Sequence, residues 1–265
     1  DNVPYRPRHF LPIAKDGVAE GDFVMVAGYP GRTQRYQLAD QIEDAISWSY
    51  PTQIAIFDEL MALVRAAGEA DPDVAIKYAA TMAGMNNGRK NMAGMLEGFR
   101  RADAAGIKRS EENALVAWLQ SQGRQGRAAL DTYRDYVALI GSQRATRERD
   151  RIMAMMSGSG LIGSANTLYR LAQERTRPDA EREAGFQERD WPVLEAGQRQ
   201  LDRRMDPGVD RQILEYWLAK YAALPAAQRL PELDAWAGLA GDAPATDGLK
   251  ARIDALYAGT RLDTL

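Results

Sequence analysis

The beginning of this chain does not follow the pattern of the rest, and that mismatch limits what the whole can fold into. Glu20-Gly21-Asp22-Phe23-Val24-Met25-Val26-Ala27-Gly28-Tyr29-Pro30-Gly31 reads as a buried β-strand running into a Gly-Pro-Gly turn, with Arg32 to Tyr36 as the return strand. The residues before it carry Pro4, Pro7 and Pro12 and read as an extended connector. From Ala45 onward nearly every segment has helical spacing. A lone strand or isolated hairpin is marginal in water, so a strand here implies a β-domain to which it belongs. The expected fold is mainly α, with helical hairpins packed side by side over about residues 40–265 and a short N-terminal β segment. The expected division is 1–39 against 40–265.

Helices are expected from near Asp40, with Pro51 in a first turn and Ile54, Phe57, Leu60, Met61 and Val64 along one face. Asp71-Pro72 restarts the chain into one long helix from Val74 to about Arg101, weakened by Gly84, Gly88, Gly94 and Gly98 and broken at Gly106. Ser110-Glu111-Glu112-Asn113 offers a cap and an acidic first turn for the next helix. Leu130, Tyr133, Val137 and Ile140 form a further stripe. Helices follow at 147–156 and 161–174, and at about 189–204, 209–223, 230–238 and 247–258, with Pro178, Pro207, Pro225, Pro231 and Pro244 at or near their boundaries. Trp118, Trp217 and Trp236 are expected in the core. Arg144, Arg147, Arg149 and Arg151, alternating with Glu148 and Asp150, read as a mixed, solvated face.

Composition narrows the chemistry. There is no cysteine and a single histidine, His9, which removes disulfides, thiolate metal sites and most His-based catalysis from within these 265 residues. His9 reads as a surface or structural residue. The net charge of −3 and pI near 5.4, with no strongly basic half, argue against nucleic acid as a partner. No apolar run is long enough for a membrane helix. Gly158-Ser159-Gly160 and Gly163-Ser164 lack a neighbouring base and read as a helix junction rather than a nucleophile elbow. No metal or organic cofactor is implied. The chemically richest spot is Asn86-Asn87-Gly88-Arg89-Lys90-Asn91, set among Met82, Met85, Met92 and Met95. An asparagine carbonyl can accept a hydrogen bond from an ammonium group. Read alone, the same residues equally kink or end a helix.

The strand and its Gly-Tyr-Pro-Gly turn resemble the opening of the second barrel of trypsin-like serine peptidases; read alone, they are also a generic buried strand with a tight turn. Four stretches taken together resemble one family. They are Asn2-Val3-Pro4-Tyr5 to His9-Phe10, Gly28-Tyr29-Pro30-Gly31-Arg32-Thr33 to Arg35-Tyr36, Lys90-Asn91 to Gly94-Met95, and Pro178-Asp179-Ala180-Glu181-Arg182-Glu183 to Asp190. The family is the bacterial serine dipeptidyl aminopeptidases of the dipeptidyl-peptidase 7 and 11 kind. Ala184 and Phe186 depart from its usual Pro and Tyr.

The resemblance implies a chymotrypsin-like double β-barrel with a helical domain inserted in the second barrel, and identifies this chain with that helical cap. The triad His and Asp would precede Asp1 and the nucleophilic Ser would follow Leu265, so the chain alone is expected to be inactive. By alignment on Lys90-Asn91, Asn87 is expected to bind the substrate's free N-terminal amine, with Asn91 supporting it one turn on. The Glu181–Asp190 run is expected to form ordered ion pairs without a catalytic role. Expected partners are peptide substrates, the rest of the parent catalytic domain and, in the parent, a second copy. The expected compartment is the periplasm. The rival readings are a self-standing helical binding or scaffold module, and a trypsin-like endopeptidase with an unrelated helical insertion.

Overall fold

The computed structural model describes residues 4–28, 35–157, 160–239 and 247–260. The chain divides into two units, 1–36 and 37–265. In the first unit the described residues are exposed and form no strand. Phe23, Val24, Met25 and Val26 are solvated, and at a turn just before them the Ala19 amide donates to Asp22 Oδ2 at 2.8 Å. The expected strand at 23–27 is thus not shown among the described residues. Its apolar run fits a pleated surface, but a ladder needs a second edge to receive its amides and carbonyls. The proposed turn and most of the return strand fall at 29–34, outside the described residues. His9 is exposed.

The second unit is helical throughout its regular parts. Its elements are α1 (Ala39–Asp44), continued by a π-helical turn (Ala45–Ser49), α2 (Tyr50–Ala70), α3 (Pro72–Arg101), α4 (Ala104–Ser121), α5 (Gly123–Gln143), α6 (Arg147–Ser157), α7 (Gly160–Glu174), α8 (Trp191–Arg204), α9 (Pro207–Ala222), α10 (Pro231–Ala237) and α11 (Asp247–Gly259). Aspartate and proline start several of them. Asp71 accepts from the Asp73 amide ahead of Pro72, and Asp206 accepts from the Gly208 and Val209 amides around Pro207.

α9 is the centre. Leu214, Trp217, Leu218 and Tyr221 are buried against Ile56 and Leu60 of α2, Ile152 and Met156 of α6, and Leu249 and Ile253 of α11. A helix apolar on nearly every side must be surrounded, which is why α9 is wrapped rather than laid on a surface. A second cluster, Val64, Val74, Tyr78 and Val209, closes the α2–α3 end. α1, α4 and α5 form a further layer joined by polar contacts. Buried Glu112 accepts the Ala39 amide at 2.5 Å and the Tyr133 hydroxyl at 3.1 Å, while Arg109 reaches Asp40 at 2.6 Å and Glu43 at 2.9 Å.

Several local expectations need correction. The break between α3 and α4 falls at Ala102-Asp103, not Gly106. Asp103 adopts the left-handed conformation (φ 46°) and its carboxylate accepts the Gly106 amide at 3.3 Å, so Gly106 lies inside α4. Ser110 to Asn113 is accordingly mid-helix. Trp118 is 58 % exposed, whereas Trp217 is buried and Trp236 packs partly buried on the core. The charged run of α6 is only half solvated. Arg147 pairs with Asp44 and lies 4.2 Å from the Trp48 ring centroid; Arg151 lies 4.4 Å from it and donates to Ser49 and Gln53. These two arginines, four apart, tie α6 to the π-turn.

Burial pushes the Tyr78 hydroxyl up to about 12, and burial with hydrogen bonds to Glu59 and Asp210 pushes Tyr216 and Tyr257 up as well. A raised folded-state value means stability fully present below the unfolded value and lost as pH rises through the folded one. Urea midpoints are therefore expected to hold steady on this account below pH 10.0 and to fall toward pH 12. Tyrosines that ionise normally in the folded chain, read by ultraviolet difference absorbance, would contradict this.

Candidate functional site

α3 is thirty residues long with four glycines, Gly84, Gly88, Gly94 and Gly98, and packing rather than propensity keeps it unbroken. Val74 and Tyr78 are buried, and Met82, Met85, Met92 and Met95 continue the same side half-buried toward α2. The two helices are in close contact at Gly88, where an added Cβ would sit 3.0 Å from Phe57 Cε2, and at Gly68, where one would sit 3.3 Å from the Ala75 Cα. Beside that contact Arg89 Nε meets Asp58 Oδ1 at 2.5 Å, and the Tyr50 and Phe99 rings stack at 6.1 Å. The hairpin is thereby fixed in rotation as well as in distance.

That rotation decides where the candidate residues point. Asn87 and Asn91 are four apart, so they share one face, and both are exposed. Gly84, Gly94 and Gly98 follow the same helical spacing, and a Cβ at any of them would meet nothing within 4 Å. The result is a strip of helix with two amide side chains and little else standing above its backbone. Among the described residues neither Asn87 nor Asn91 has a side-chain hydrogen bond. Arg89 is neutralised by Asp58, whereas Lys90 is exposed. The strip can accept hydrogen bonds from a donor laid against it and leaves room for that donor's backbone. The structure keeps the two asparagines together and does not turn them into a kink: α3 runs unbroken through both.

The other candidates resolve differently. Gly160 begins α7 and Ser164, buried, hydrogen-bonds Gln198, which is the geometry of a helix junction; Gly158 and Ser159 lie outside the described residues. The 179–190 segment forms ordered polar contacts. Arg182 pairs with Asp179 at 2.9 Å, Arg170 of α7 pairs with Glu183 at 2.5 Å, and Asp190 accepts the Gly185 and Gln187 amides. Sequence reasoning missed the Arg89–Asp58 tie and the Gly88–Phe57 contact. Both rested on signals that were present: a glycine in a methionine-lined helix face, and a cation one residue on. Among the described residues no group of three or more His, Asp or Glu side chains is placed to hold a metal ion.

The sequence profile of peptidase S46 matches residues 1–264. The chain belongs to the peptidase S46 family. It is similar to an Asp/Glu-specific dipeptidyl-peptidase of Shewanella putrefaciens, 36% identical over 262 residues, covering 99% of this chain and 35% of that protein. It is similar to an enzyme of the same name from Flavobacterium psychrophilum, 28% identical over 233 residues, 87% of this chain and 32% of that protein. A dipeptidyl-peptidase 7 of Porphyromonas endodontalis is 35% identical over 125 residues, 47% of this chain and 15% of that protein. The S46 chain thus spans about a third of the length of the relatives that it matches over most of its own length. No described helix is long and apolar enough to cross a membrane.

Proposed function

We propose that this S46 chain is the helical cap of a serine-type dipeptidyl aminopeptidase and that Asn87 helps hold the free amine of the peptide substrate. The observation that carries the reading is the match to a dipeptidyl-peptidase over 99% of this chain. The exposed, unengaged amides on α3 support the role given to Asn87. On this reading residues 1–39 are the linker and first strands of a second catalytic barrel, and residues 40–265 form the inserted domain. The strand at 23–27 would find its ladder there.

The chemistry belongs to the barrels. A serine attacks the carbonyl of the second residue, a histidine takes its proton and returns it to the leaving amine, and water hydrolyses the acyl-enzyme. The cap sets the register. An ammonium donating to Asn87 Oδ1 fixes the substrate's first residue, so the scissile bond is always the second one. A chain extending past that point loses the interaction and meets the helix. Asn91, one turn on and on the same face, would support Asn87 once the amine is bound. Closure of the cap over bound peptide would exclude water from the acyl transfer. The chain alone releases no dipeptide. In the cell the parent is periplasmic and pairs with a second copy.

The test is a gel of source-cell periplasm, labelled with a fluorophosphonate serine probe and blotted with an antibody to this chain. A labelled band far above 29.3 kDa is expected. An unlabelled band at 29.3 kDa would remove the peptidase reading.

A further inference from the structure

We propose that the groove between α7 and α8 binds a small molecule with an apolar body and one carboxylate. The groove encloses about 420 Å³, and Leu168, Leu171, Trp191 and Leu194 contribute its apolar lining. That volume lies in the range of sites that take drug-sized ligands, which combine an apolar wall with a few fixed polar groups.

The wall is preorganised. The Trp191 indole donates to the Phe186 carbonyl at 3.3 Å, and the Arg175 and Arg182 guanidinium carbons lie 5.1 Å and 5.7 Å from its ring centroid. Holding the ring before binding removes part of the entropy cost of association.

The charge at the rim selects the ligand's polar end. Arg199 and Glu195 pair with each other at 2.5 Å, and Arg182 pairs with Asp179. Glu174, next to Arg175 in sequence, is turned away to Arg177 and the Glu183 amide. Arg175 has no carboxylate partner among the described residues and lines the groove. One uncompensated guanidinium above an apolar floor matches a single carboxylate, which it can grip with two parallel hydrogen bonds. A phosphate, with more charge, would call for several cations or a nest of amides.

The experiment uses the 265-residue chain with its five tryptophan indoles labelled with nitrogen-15, titrated with sodium 4-phenylbutyrate and separately with neutral 4-phenylbutanamide. The Trp191 signal is identified by its loss in Trp191→Phe. Phenylbutyrate is expected to shift that signal saturably, with a Kd near or below roughly 1 mM, and the amide to bind about tenfold more weakly. Arg175→Gln is expected to bring the carboxylate down to the level of the amide. Arg175 is exposed, so the other indole signals should stay in place in that variant. An unmoved Trp191 signal, equal binding of acid and amide, or undiminished binding by Arg175→Gln would each overturn the proposal.

Discussion

Replacing Gly160 with alanine is expected to lower the stability of this chain more than its size suggests, by about 3–5 kcal/mol. Gly160 opens α7 at φ +28°, and a Cβ built there falls within the Asp210 carboxylate. Asp210 is 4 % exposed; it accepts the Leu161 amide at 3.1 Å and the Tyr257 hydroxyl at 2.6 Å. It therefore joins the start of α7 to α9 and α11 in one place. An alanine must push that carboxylate aside, leaving a buried charge and two donors without partners, and also strain the backbone. For a helical unit of this size the loss corresponds to a drop in Tm of roughly 6–20 °C. Gly141→Ala is the control: a Cβ there meets nothing within 4 Å, and in an exposed helix the change is expected to be neutral or slightly stabilising. Calorimetry giving Gly160→Ala the Tm of the parent chain would mean that the junction is not held by Asp210.

What the sequence made legible follows from which interactions are local. Helix starts at Pro72 and Pro207 are marked by aspartates whose side chains cap the first turn, and the structure has both. α9 is recognisable because its apolar residues exceed a single face. Trp118 shows the opposite case. With Ile107 and Leu115 it makes an apolar stripe on α4, yet Leu119 and Glu112 are the residues that α1 and α5 cover. Periodicity identifies apolar faces, but only tertiary packing decides which of two receives a partner. The Gly106 expectation failed for a related reason: a local carboxylate at Asp103 supplied the turn, and an isolated glycine inside a helix costs only about 1 kcal/mol. Phe23 to Ala27 has strand composition, but a strand is completed by hydrogen bonds to another segment, which no window of sequence contains. Of the candidate site, the shared face of Asn87 and Asn91 was readable from their spacing alone. Their exposure was not, because it depends on Phe57 and Asp58 setting the rotation of α3. The role proposed for Asn87 rests on family resemblance, and nothing in its local sequence distinguishes it from Asn86.

On the function proposed above, Asn87→Ala in the parent enzyme is expected to lower kcat/KM for dipeptidyl substrates with a free amine by about 2–3 kcal/mol, or roughly 30- to 150-fold, the cost of losing a hydrogen bond to a charged group. Asn87 is exposed and supports no packing in this chain, so a folding defect is not expected to obscure the result. Asn91→Ala should cost less, about fivefold, since the role proposed for it is to support Asn87 rather than to touch the amine. The pH dependence separates the two roles. A peptide α-amino group titrates near pH 7.7–8.0, and its hydrogen bond to a carbonyl is strongest while it is protonated. The gap between native enzyme and Asn87→Ala should therefore be widest below that range and shrink as pH rises through it. Asn87→Asp places a carboxylate where the amide stood and should retain or exceed native affinity for the charged amine, with the same decline on deprotonation. If Asn87→Ala leaves kcat/KM unchanged at pH 7, the amine is held elsewhere. If it lowers kcat/KM equally at every pH, Asn87 contributes shape to the cleft but does not recognise the ammonium.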